Sequence, residues 1–359
     1  MDRSADIARI AQQLFPDSEV VRVVPLGPDA ESGGTAEKAI GYGEPARVVL
    51  RGEQGERSIV FHTEAANPFG HDRRSDRARD MLLAYDTFAD IPRHVRALDV
   101  GALLTAGGSV SLRGADELYL VTEWAEGELY AHALRRVATS GRATDDDVNR
   151  VEQIVDYLVA LHAEKMVVPG AYRRSIRDLV GSGEGIYGLV DGYPEDVAGA
   201  PRERLEALEA RAAGWRWRLR DAEPRLSKIH GDFHPFNVLL QADGIGTLDA
   251  SRGCLGDPAD DVTCLAINFV FFALEAPDAW DRGLGVLWRT FFQRYLAHSR
   301  DEEVLSVAPP FFAWRALVVA NPRFYPAISP ATRDRILALA ERTLDEGLLS
   351  PWEADELFA

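Results

Sequence analysis

The chain has 359 residues, 46% of them hydrophobic and 27% charged, a balance typical of folded globular proteins. This length predicts about two domains and is enough to bury a substantial core. The net charge is −17, from 40 basic and 57 acidic residues, and because nucleic-acid binding needs a basic surface we expect no nucleic-acid partner. Only three of the 40 basic residues are lysines, namely Lys38, Lys165 and Lys228, so the other 37 are arginines.

The first part of the chain is predicted to be mostly β-strand with one main internal helix. Residues 1–15 have the pattern of a short amphipathic helix, and residues 75–88 keep helical spacing, with Ser75 or Asp76 as the capping residue. A turn-rich segment with five glycines occupies residues 27–43. Strands are predicted where the chain has the composition of a strand, at residues 20–26, 47–51, 58–63, 95–105 and 117–124.

The second part of the chain is predicted to be mainly helical. Thr144 and the three aspartates after it begin a helix with one apolar face that ends near His162, and residues 203–218 form another helix. Three short strands follow, at residues 227–230, 238–241 and 245–249, of which the last two form a hairpin around an Asp-Gly turn. From Asp261 onward the pattern is again helical. These changes predict two structural units, residues 1–125 and 126–359.

The sequence shows no sign of secretion or of a membrane anchor. Cys254 and Cys264 are ten residues apart, a spacing that fits no zinc or redox motif, so we expect two buried, apolar thiols that form no disulfide. The N-terminus lacks the apolar stretch of a signal peptide, and the longest apolar run, residues 265–274, is too short to cross a bilayer. We therefore expect a cytoplasmic protein with no membrane partner, and no feature indicates an oligomeric state.

The segment His-Gly-Asp-Phe-His-Pro-Phe-Asn at residues 230–237 carries the clearest chemical pattern. Asp232 precedes Asn237 by five residues, and Asp249 ends another predicted strand twelve residues later. A phosphoryl-transfer site needs one carboxylate for the acceptor hydroxyl, and a carboxamide with a second carboxylate for divalent cations. Because the predicted hairpin brings Asn237 beside Asp249, these two side chains suit a hard cation such as Mg²⁺.

This segment resembles the aminoglycoside phosphotransferase and choline kinase family, relatives of the protein kinases. The family pattern is HGDxxxxN, then a strand that ends in Asp, then GDPxxD, and this chain matches it at residues 230–237, 248–249 and 256–261. The resemblance covers roughly residues 20–330. It implies an α+β, two-lobed, protein-kinase-like fold. In that fold residues 1–125 form a small β-rich lobe for the nucleotide, and residues 126–359 form a larger, mainly helical lobe for catalysis and substrate.

The resemblance also implies site residues and a reaction. Asp232 matches the family's catalytic base, and Asn237 and Asp249 match its ligands for Mg²⁺. The adenine of ATP, with GTP as the alternative nucleotide, would bond to backbone groups around Glu123 to Ala125. The implied enzyme transfers the γ-phosphate to a hydroxyl of a small polar acceptor, such as an aminoglycoside, an amino alcohol, a sugar or a hydroxy amino acid.

Some family features are scaffolding and others are missing. Asp257 and Asp261 match aspartates that brace the catalytic loop, so we expect structural roles for them. The family places a lysine, or sometimes an arginine, on the third strand to neutralise nucleotide phosphates, but His62 occupies that position here. Arg51 and Lys38 are the other candidates for this role, and the choice among the three stays open.

Three other functions are alternatives to this interpretation. The missing strand lysine favours a catalytically weak or inactive nucleotide-binding regulator, whereas the intact set of Asp232, Asn237 and Asp249 opposes it. A metallophosphoesterase would share the Asp-x-His element at Asp232, but only one histidine, His298, follows His234. A protein kinase proper is disfavoured because residues 250–256 leave almost no room for an activation segment.

The charge of the acceptor stays open at this stage because two groups of residues give conflicting indications. The long segment before the HGD motif contains basic residues that would suit a carboxylate or phosphate on the acceptor. The acidic C-terminus would instead suit a polyamine. The first segment offers Arg173, Arg174, Arg177, Glu184, Tyr187 and Asp191, and the C-terminus offers Asp345, Glu346, Glu353, Asp355 and Glu356.

Overall fold

The structure, a computed structural model, describes residues 4–26, 45–250 and 252–358. Lys38 and the whole predicted glycine-rich segment, residues 27–43, lie outside the described residues. The chain divides into two compact units, the first of which ends at Thr122 and the second of which begins at Glu123. Within the described residues, no helix is long and apolar enough to cross a membrane.

The first unit is built on a three-stranded antiparallel sheet. Strand β2 pairs with β1 on one side and with β3 on the other. The first helix contributes Ala11 to a small core that also contains Val48 and Leu50, so the predicted amphipathic pattern buries one face of this helix. These elements are α1 (Ser4–Leu14), β1 (Glu19–Pro25), β2 (Ala46–Gly52) and β3 (Gly55–Phe61).

A second helix, α2 (Arg74–Thr87), follows the sheet and was predicted at residues 75–88. Its N-cap is Arg73, not Ser75 or Asp76. Asp76 instead accepts a hydrogen bond of 2.8 Å from the backbone N–H of Arg73, so it stabilises the helix from inside the first turn. A 3₁₀ turn at Phe88–Asp90 continues this helix.

The two later strand predictions in this region are largely wrong. Residues 95–105 form only the short strand β4 (Gly101–Leu103), which pairs with β5 (Ser109–Ser111). Residues 117–124 form no strand, although their composition favours one, and Tyr119 is 91% exposed. The physical reason is that a strand needs hydrogen-bonded neighbours, and none of the described segments pairs with these residues.

The second unit is mainly helical and has one continuous hydrophobic core. Its helix α4 was predicted from the Thr144 cap, and there the Thr144 hydroxyl accepts from the N–H of Asp147 while the Asp147 carboxylate accepts from the N–H of Thr144. The helices are α3 (Tyr130–Ser140), α4 (Asp145–His162), α5 (Ala171–Gly181), α6 (Ile186–Asp191), α7 (Arg202–Arg218), α8 (Ala259–Glu275), α9 (Gly285–Ser299), α10 (Val304–Val307), α11 (Pro309–Ala320) and α12 (Pro330–Glu346).

Short helical turns complete the helical part of the second unit. They include a π-helical turn directly before α9, and the last turn lies close to the C-terminus. The 3₁₀ turns are Glu223–Arg225, Pro277–Ala279 and Pro351–Leu357, and the π turn is Trp280–Leu284. Helix α8 is almost entirely buried, including Cys264. Cys254 is exposed, so the expectation of two buried thiols is wrong for that residue.

Short strands come before and after the HGD segment along the chain. Strand β6 (Glu128–Leu129) pairs with β8 (Val238–Gln241), which forms the predicted hairpin with β9 (Gly244–Thr247). Strand β7 (Ser227–Lys228) pairs with β10 (Leu255–Gly256). Strand β9 was predicted to run to Asp249 but ends at Thr247. As a result, Asp249 lies in the connection that follows the strand.

Candidate active site

Backbone hydrogen bonds shape the loop between β7 and β8. Gly231 has a φ of 80°, which is a left-handed conformation, and a Cβ atom there would lie 3.2 Å from the carbonyl oxygen of Gly253. Glycine is therefore required at this position. Further along, the N–H of His234 donates to the carbonyl of Asp232, and the N–H of Asn237 donates to the carbonyl of His234.

Asp261 holds this loop from the first turn of α8. Its side chain is fully buried and its carboxylate accepts hydrogen bonds from the backbone N–H groups of His230 (2.7 Å) and Gly231 (2.8 Å). The ring of His162, at the end of α4, lies 3.1 Å from the same carboxylate and 2.8 Å from the hydroxyl of Tyr295. Asp261 therefore has the bracing role that was expected of it.

Asp257 has a different buried partner. Arg225 makes two hydrogen bonds to its carboxylate, of 2.8 and 3.0 Å, and the hydroxyl of Tyr172 donates a third, of 2.8 Å. The same guanidinium also binds Asp301 at 2.7 and 2.9 Å. This buried network joins the start of α8 to the segments before β7 and after α9, so Asp257 is structural, as was expected.

Asp232 is held through only one of its two carboxylate oxygens. Its Oδ1 accepts hydrogen bonds from Arg252 (2.7 Å) and Arg315 (2.9 Å). Its Oδ2 lies 3.7 Å from Nε2 of His234 and accepts no hydrogen bond from the described residues. Burial raises the pKa of Asp232, but the two guanidinium groups outweigh burial and hold this pKa below its usual value. The carboxylate is therefore ionised at neutral pH, with one oxygen free to accept.

His234 is a neutral neighbour of that free oxygen. Burial lowers its pKa, and Arg315 and Arg252 lower it further, although the charge of Asp232 acts in the opposite direction. The imidazole ring also accepts a hydrogen bond of 3.2 Å from the backbone N–H of Phe236 through Nδ1. That contact helps to fix the shape of the loop.

Arg315, on α11, was not identified from the sequence. It is 4% exposed and binds Asp232, Asp260 and the carbonyl of Gly231. Burial raises the pKa of Asp260 to about 6, although the guanidinium opposes this effect. The signal in the sequence was an arginine within the apolar run PPFFAWRALVVA, because a buried charge requires a partner.

Asn237 and Asp249 provide oxygen atoms suited to a divalent cation. The amide nitrogen of Asn237 donates to the carbonyl of Asp232 at 3.0 Å, which leaves the amide oxygen free for a ligand. The backbone carbonyl of Asn237 accepts a hydrogen bond of 2.9 Å from the N–H of Leu248. This bond ties Asn237 to the residue directly before Asp249. Asp249 is exposed, has no ion pair among the described residues, and has a φ of 52°. A left-handed non-glycine residue is uncommon and is enriched at functional sites.

The other predicted nucleotide contacts lie at exposed or partly exposed positions. His62 is exposed and comes directly after β3. Arg51 is ion-paired with Glu56 at 2.8 Å and with Glu19 at 3.7 Å. Glu123 is exposed and Ala125 is partly exposed. Both belong to a segment that forms no strand with any of the described residues. Their nucleotide roles stay predictions.

A pocket of about 750 Å³ in the second unit is lined in part by Asp232. Its volume suits a small organic molecule. Among the residues that the sequence suggested for the charge of the acceptor, Glu184 lines the pocket and the others do not. Arg252, which was not suggested from the sequence, also belongs to the lining. The walls are largely apolar and include Phe236, Ile267, Val318, Val319, Phe324 and Tyr325.

The conflicting charge indications in the sequence are removed by local ion pairs. The arginines before the HGD motif bind carboxylates outside the pocket, in the pairs Arg173–Glu223, Arg174–Asp178 and Arg177–Asp178. The C-terminal acids also bind arginines elsewhere, in the pairs Asp345–Arg211, Asp355–Arg289 and Glu356–Arg342. Neither these arginines nor the C-terminal acids line the pocket.

A β-rich unit followed by a mainly helical unit, with an ionised aspartate in a tight loop beside a pocket, is the arrangement expected of a kinase-like phosphoryl-transfer protein. The chain belongs to the phosphotransferase enzyme family named APH, whose model matches residues 38–300. No curated protein matches the sequence.

Several solved structures are similar to the chain at low identity. A choline kinase from Cryptosporidium parvum is 14% identical, with 98% of this chain and 96% of that chain covered and a TM-score of 0.38. A glucosamine kinase in complex with glucosamine, ADP and phosphate is also 14% identical, with coverage of 95% and 99% and a TM-score of 0.44. An aminoglycoside phosphotransferase from Streptomyces rimosus is 17% identical, with coverage of 86% and 98% and a TM-score of 0.33.

Family membership confirms the predicted fold class and reaction class. The fold is α+β, two-lobed and protein-kinase-like. The protein is a phosphotransferase that acts on a hydroxyl of a small-molecule acceptor, with ATP as the co-substrate and a divalent metal ion typical of such kinases. The alternative of an inactive nucleotide-binding regulator is not favoured.

Proposed function

We propose that this phosphotransferase uses Asp232 as its base, Asn237 and Asp249 as ligands for Mg²⁺, and the pocket beside Asp232 for its acceptor. The single observation that carries the proposal is the state of the Asp232 carboxylate. Two arginines hold its Oδ1, while its Oδ2 has no hydrogen-bond donor among the described residues. Because Asp232 also lines the pocket, an acceptor hydroxyl can supply the missing donor.

The reaction then follows from these positions. The acceptor hydroxyl donates its hydrogen bond to Oδ2 of Asp232, which orients the oxygen for attack. A bond forms between that oxygen and the γ-phosphorus of ATP, the bond from this phosphorus to the β–γ bridging oxygen breaks, and the hydroxyl proton passes to Oδ2. The products are the phosphorylated acceptor and ADP. When bound, Mg²⁺ would neutralise negative charge on the phosphate oxygens.

The pKa of Asp232 is consistent with a mainly orienting role. A weakly basic carboxylate accepts the proton late, when the bond to phosphorus has already lowered the pKa of the hydroxyl. Arg252 and Arg315 therefore keep Asp232 ionised and fixed, and its orientation of the hydroxyl is the larger contribution.

Asp232→Asn is the direct test, because it keeps the shape and removes the proton acceptor. We expect acceptor-dependent ADP formation to fall by about 10²–10⁴-fold, the usual contribution of a positioned acid or base. The matched control is Asp243→Asn, which makes the same change at an exposed turn of the β8–β9 hairpin. Near-normal turnover in Asp232→Asn, or an equal loss in Asp243→Asn, would refute the proposed base.

Asp249→Asn tests the metal site by a different measurement. We expect the Mg²⁺ concentration for half-maximal activity to rise at least tenfold, since a neutral amide replaces a charged oxygen ligand. Mn²⁺ binding followed by magnetic resonance should weaken in the same variant, and Asp243→Asn should bind as the wild type does. Unchanged metal affinity would remove Asp249 from the site.

The nucleotide contacts are proposed from the family resemblance. His62, Arg51 or Lys38 would contact phosphates, and backbone groups at Glu123 and Ala125 would contact adenine. Separate His62→Ala and Arg51→Ala variants should identify the phosphate contact by a rise in KM for ATP. The same assay with GTP tests nucleotide preference, and an unchanged KM in both variants would leave Lys38 as the candidate.

A further inference from the structure

Every carboxylate that lines the pocket is already paired with arginine, among the residues that the structure describes. Arg252 binds both Glu184, at 2.8 Å, and Asp232, at 2.7 Å. Arg315 binds Asp232 as well. A cationic acceptor would need a carboxylate without a partner, because burying an ammonium group without one is costly. These ion pairs therefore work against an acceptor with a positive charge.

Arg323 is the basic residue of the lining that has no acidic partner in the described part of the chain. It lies after α11 and is exposed, and only its backbone N–H is bound, to the side chain of Asn321 at 2.9 Å. With Arg252 and Arg315, the lining has three guanidinium groups against two carboxylates. A guanidinium without a partner presents a planar set of donors that fits a carboxylate or phosphate.

Phe236, whose ring could otherwise attract a cation, is already in contact with one. The guanidinium carbon of Arg135 lies 5.2 Å from the centre of the Phe236 ring. Trp314, the neighbour of Arg315, has the guanidinium groups of Arg252 and Arg315 at 4.8 and 3.8 Å. Since cation binding by aromatic rings needs a free face, these contacts disfavour an ammonium group at Phe236 and near Trp314.

We infer that the acceptor carries an anionic group, a carboxylate or a phosphate, which Arg323 binds while the acceptor hydroxyl reaches Asp232. This inference rests on the proposed function, because it uses Asp232 as the position of the reacting hydroxyl. The apolar walls formed by Ile267, Val318 and Phe324 cover the uncharged part of the molecule. The substrate class is thus a hydroxyl-bearing anion with an apolar or sugar-like body.

The test uses two series of acceptors that differ in charge and share a skeleton. The sugar series is glucuronate, a glucose phosphate, glucose and glucosamine, and the aliphatic series is hydroxyhexanoate, hydroxyhexanamide and aminohexanol. Acceptor-dependent ADP formation and equilibrium binding to the ADP-loaded full chain are measured for each. The variants are Arg323→Gln and, as the matched control, Arg335→Gln, which changes an exposed arginine of α12 outside the pocket.

The wild type should prefer the anionic member of a series over its cationic member by at least tenfold in kcat/KM. Arg323→Gln should weaken binding of that anion by about tenfold or more, as expected for loss of a charged hydrogen bond, with no change for the neutral member. Arg335→Gln should behave as the wild type does. A larger effect with glucuronate than with the glucose phosphate would identify the carboxylate as the anionic group, and the reverse would identify the phosphate.

Failure of this inference can be distinguished from failure of the proposed function. A preference for glucosamine or aminohexanol, no binding of any anionic member, or equal behaviour of the two arginine variants would overturn the inference. None of these results would rescue activity in Asp232→Asn, so the proposed base would stand. Conversely, anion binding that depends on Arg323 would support the inference even if Asp232→Asn kept full transfer activity, a result that would refute only the base.

Discussion

Removing the Asp261 carboxylate should destabilise the second unit more than its single charge would suggest. Asp261 is fully buried at the start of α8 and accepts hydrogen bonds from the backbone N–H groups of His230 and Gly231. Asp261→Ala leaves both donors buried without an acceptor. It also removes one of the two partners of the His162 ring, which keeps its contact with Tyr295.

The expected loss follows from these contacts. Each buried donor that loses its acceptor costs about 1–3 kcal/mol, so two such groups predict a loss of about 4 kcal/mol. Typical domains have an unfolding free energy of only about 5–15 kcal/mol, so the loss is a large fraction of the total. Asp261→Asn keeps one oxygen acceptor in the same place and should lose about half as much.

Urea unfolding followed by tryptophan fluorescence measures this change in the second structural unit, which contains Asp261. All seven tryptophans lie in the second unit, the first of them at Trp124. The control is Asp345→Ala, which removes an exposed carboxylate paired with Arg211 and should cost at most about 1 kcal/mol. A loss below about 1.5 kcal/mol in Asp261→Ala, or a loss no larger than the control's, would show that other contacts hold the loop.

Three further predictions concern pH and helix capping. Arg252→Gln should raise the pKa of Asp232, because it removes a guanidinium that lowers this pKa. The fall of kcat/KM on the acid side should then begin at a higher pH, and an unchanged pH profile would contradict this prediction. The pKa of Asp260 is about 6 in the fold and roughly 3.9 in unfolded chains. Because the folded state binds this proton more tightly, the free energy of unfolding should increase as the pH falls from about 6 to about 4. Asp260→Asn should abolish this increase in urea titrations at several pH values. Thr144→Ala should cost about 1 kcal/mol by urea unfolding, and no loss would mean the cap is dispensable.

Elements with local signals could be predicted from the sequence. Thr144 and Asp147 both carry the capping contacts of α4, and the Asp243–Gly244 turn forms the hairpin that places Asn237. In each case the residues that determine the structure are within a few positions of one another. Helix α4 and the hairpin could therefore be predicted without knowledge of distant contacts, whereas the fold class was implied by the family resemblance of residues 230–261.

Features that depend on distant partners could not be predicted. Residues 117–124 have a strand-like composition but pair with no described segment, and composition says nothing about the presence of a neighbour. Arg315 binds Asp232 from 83 positions away, so its role in the site has no local signal beyond its apolar surroundings. Arg323 is similar, because only the fold shows that it lines the same pocket as Asp232.

The scarcity of lysine has a structural counterpart in the arginines that join the GDPADD segment to the rest of the second unit. Arg225 binds Asp257 and Asp301 at once, and Arg315 binds Asp232 and Asp260 at once. A planar guanidinium can bind two carboxylates in fixed directions, whereas a lysine ammonium is a compact point charge on a flexible stem. Because Arg315 joins Asp260, in the first turn of α8, to the proposed base, the same buried guanidinium that pairs with α8 also occupies Oδ1 of Asp232 and leaves Oδ2 for the proposed acceptor.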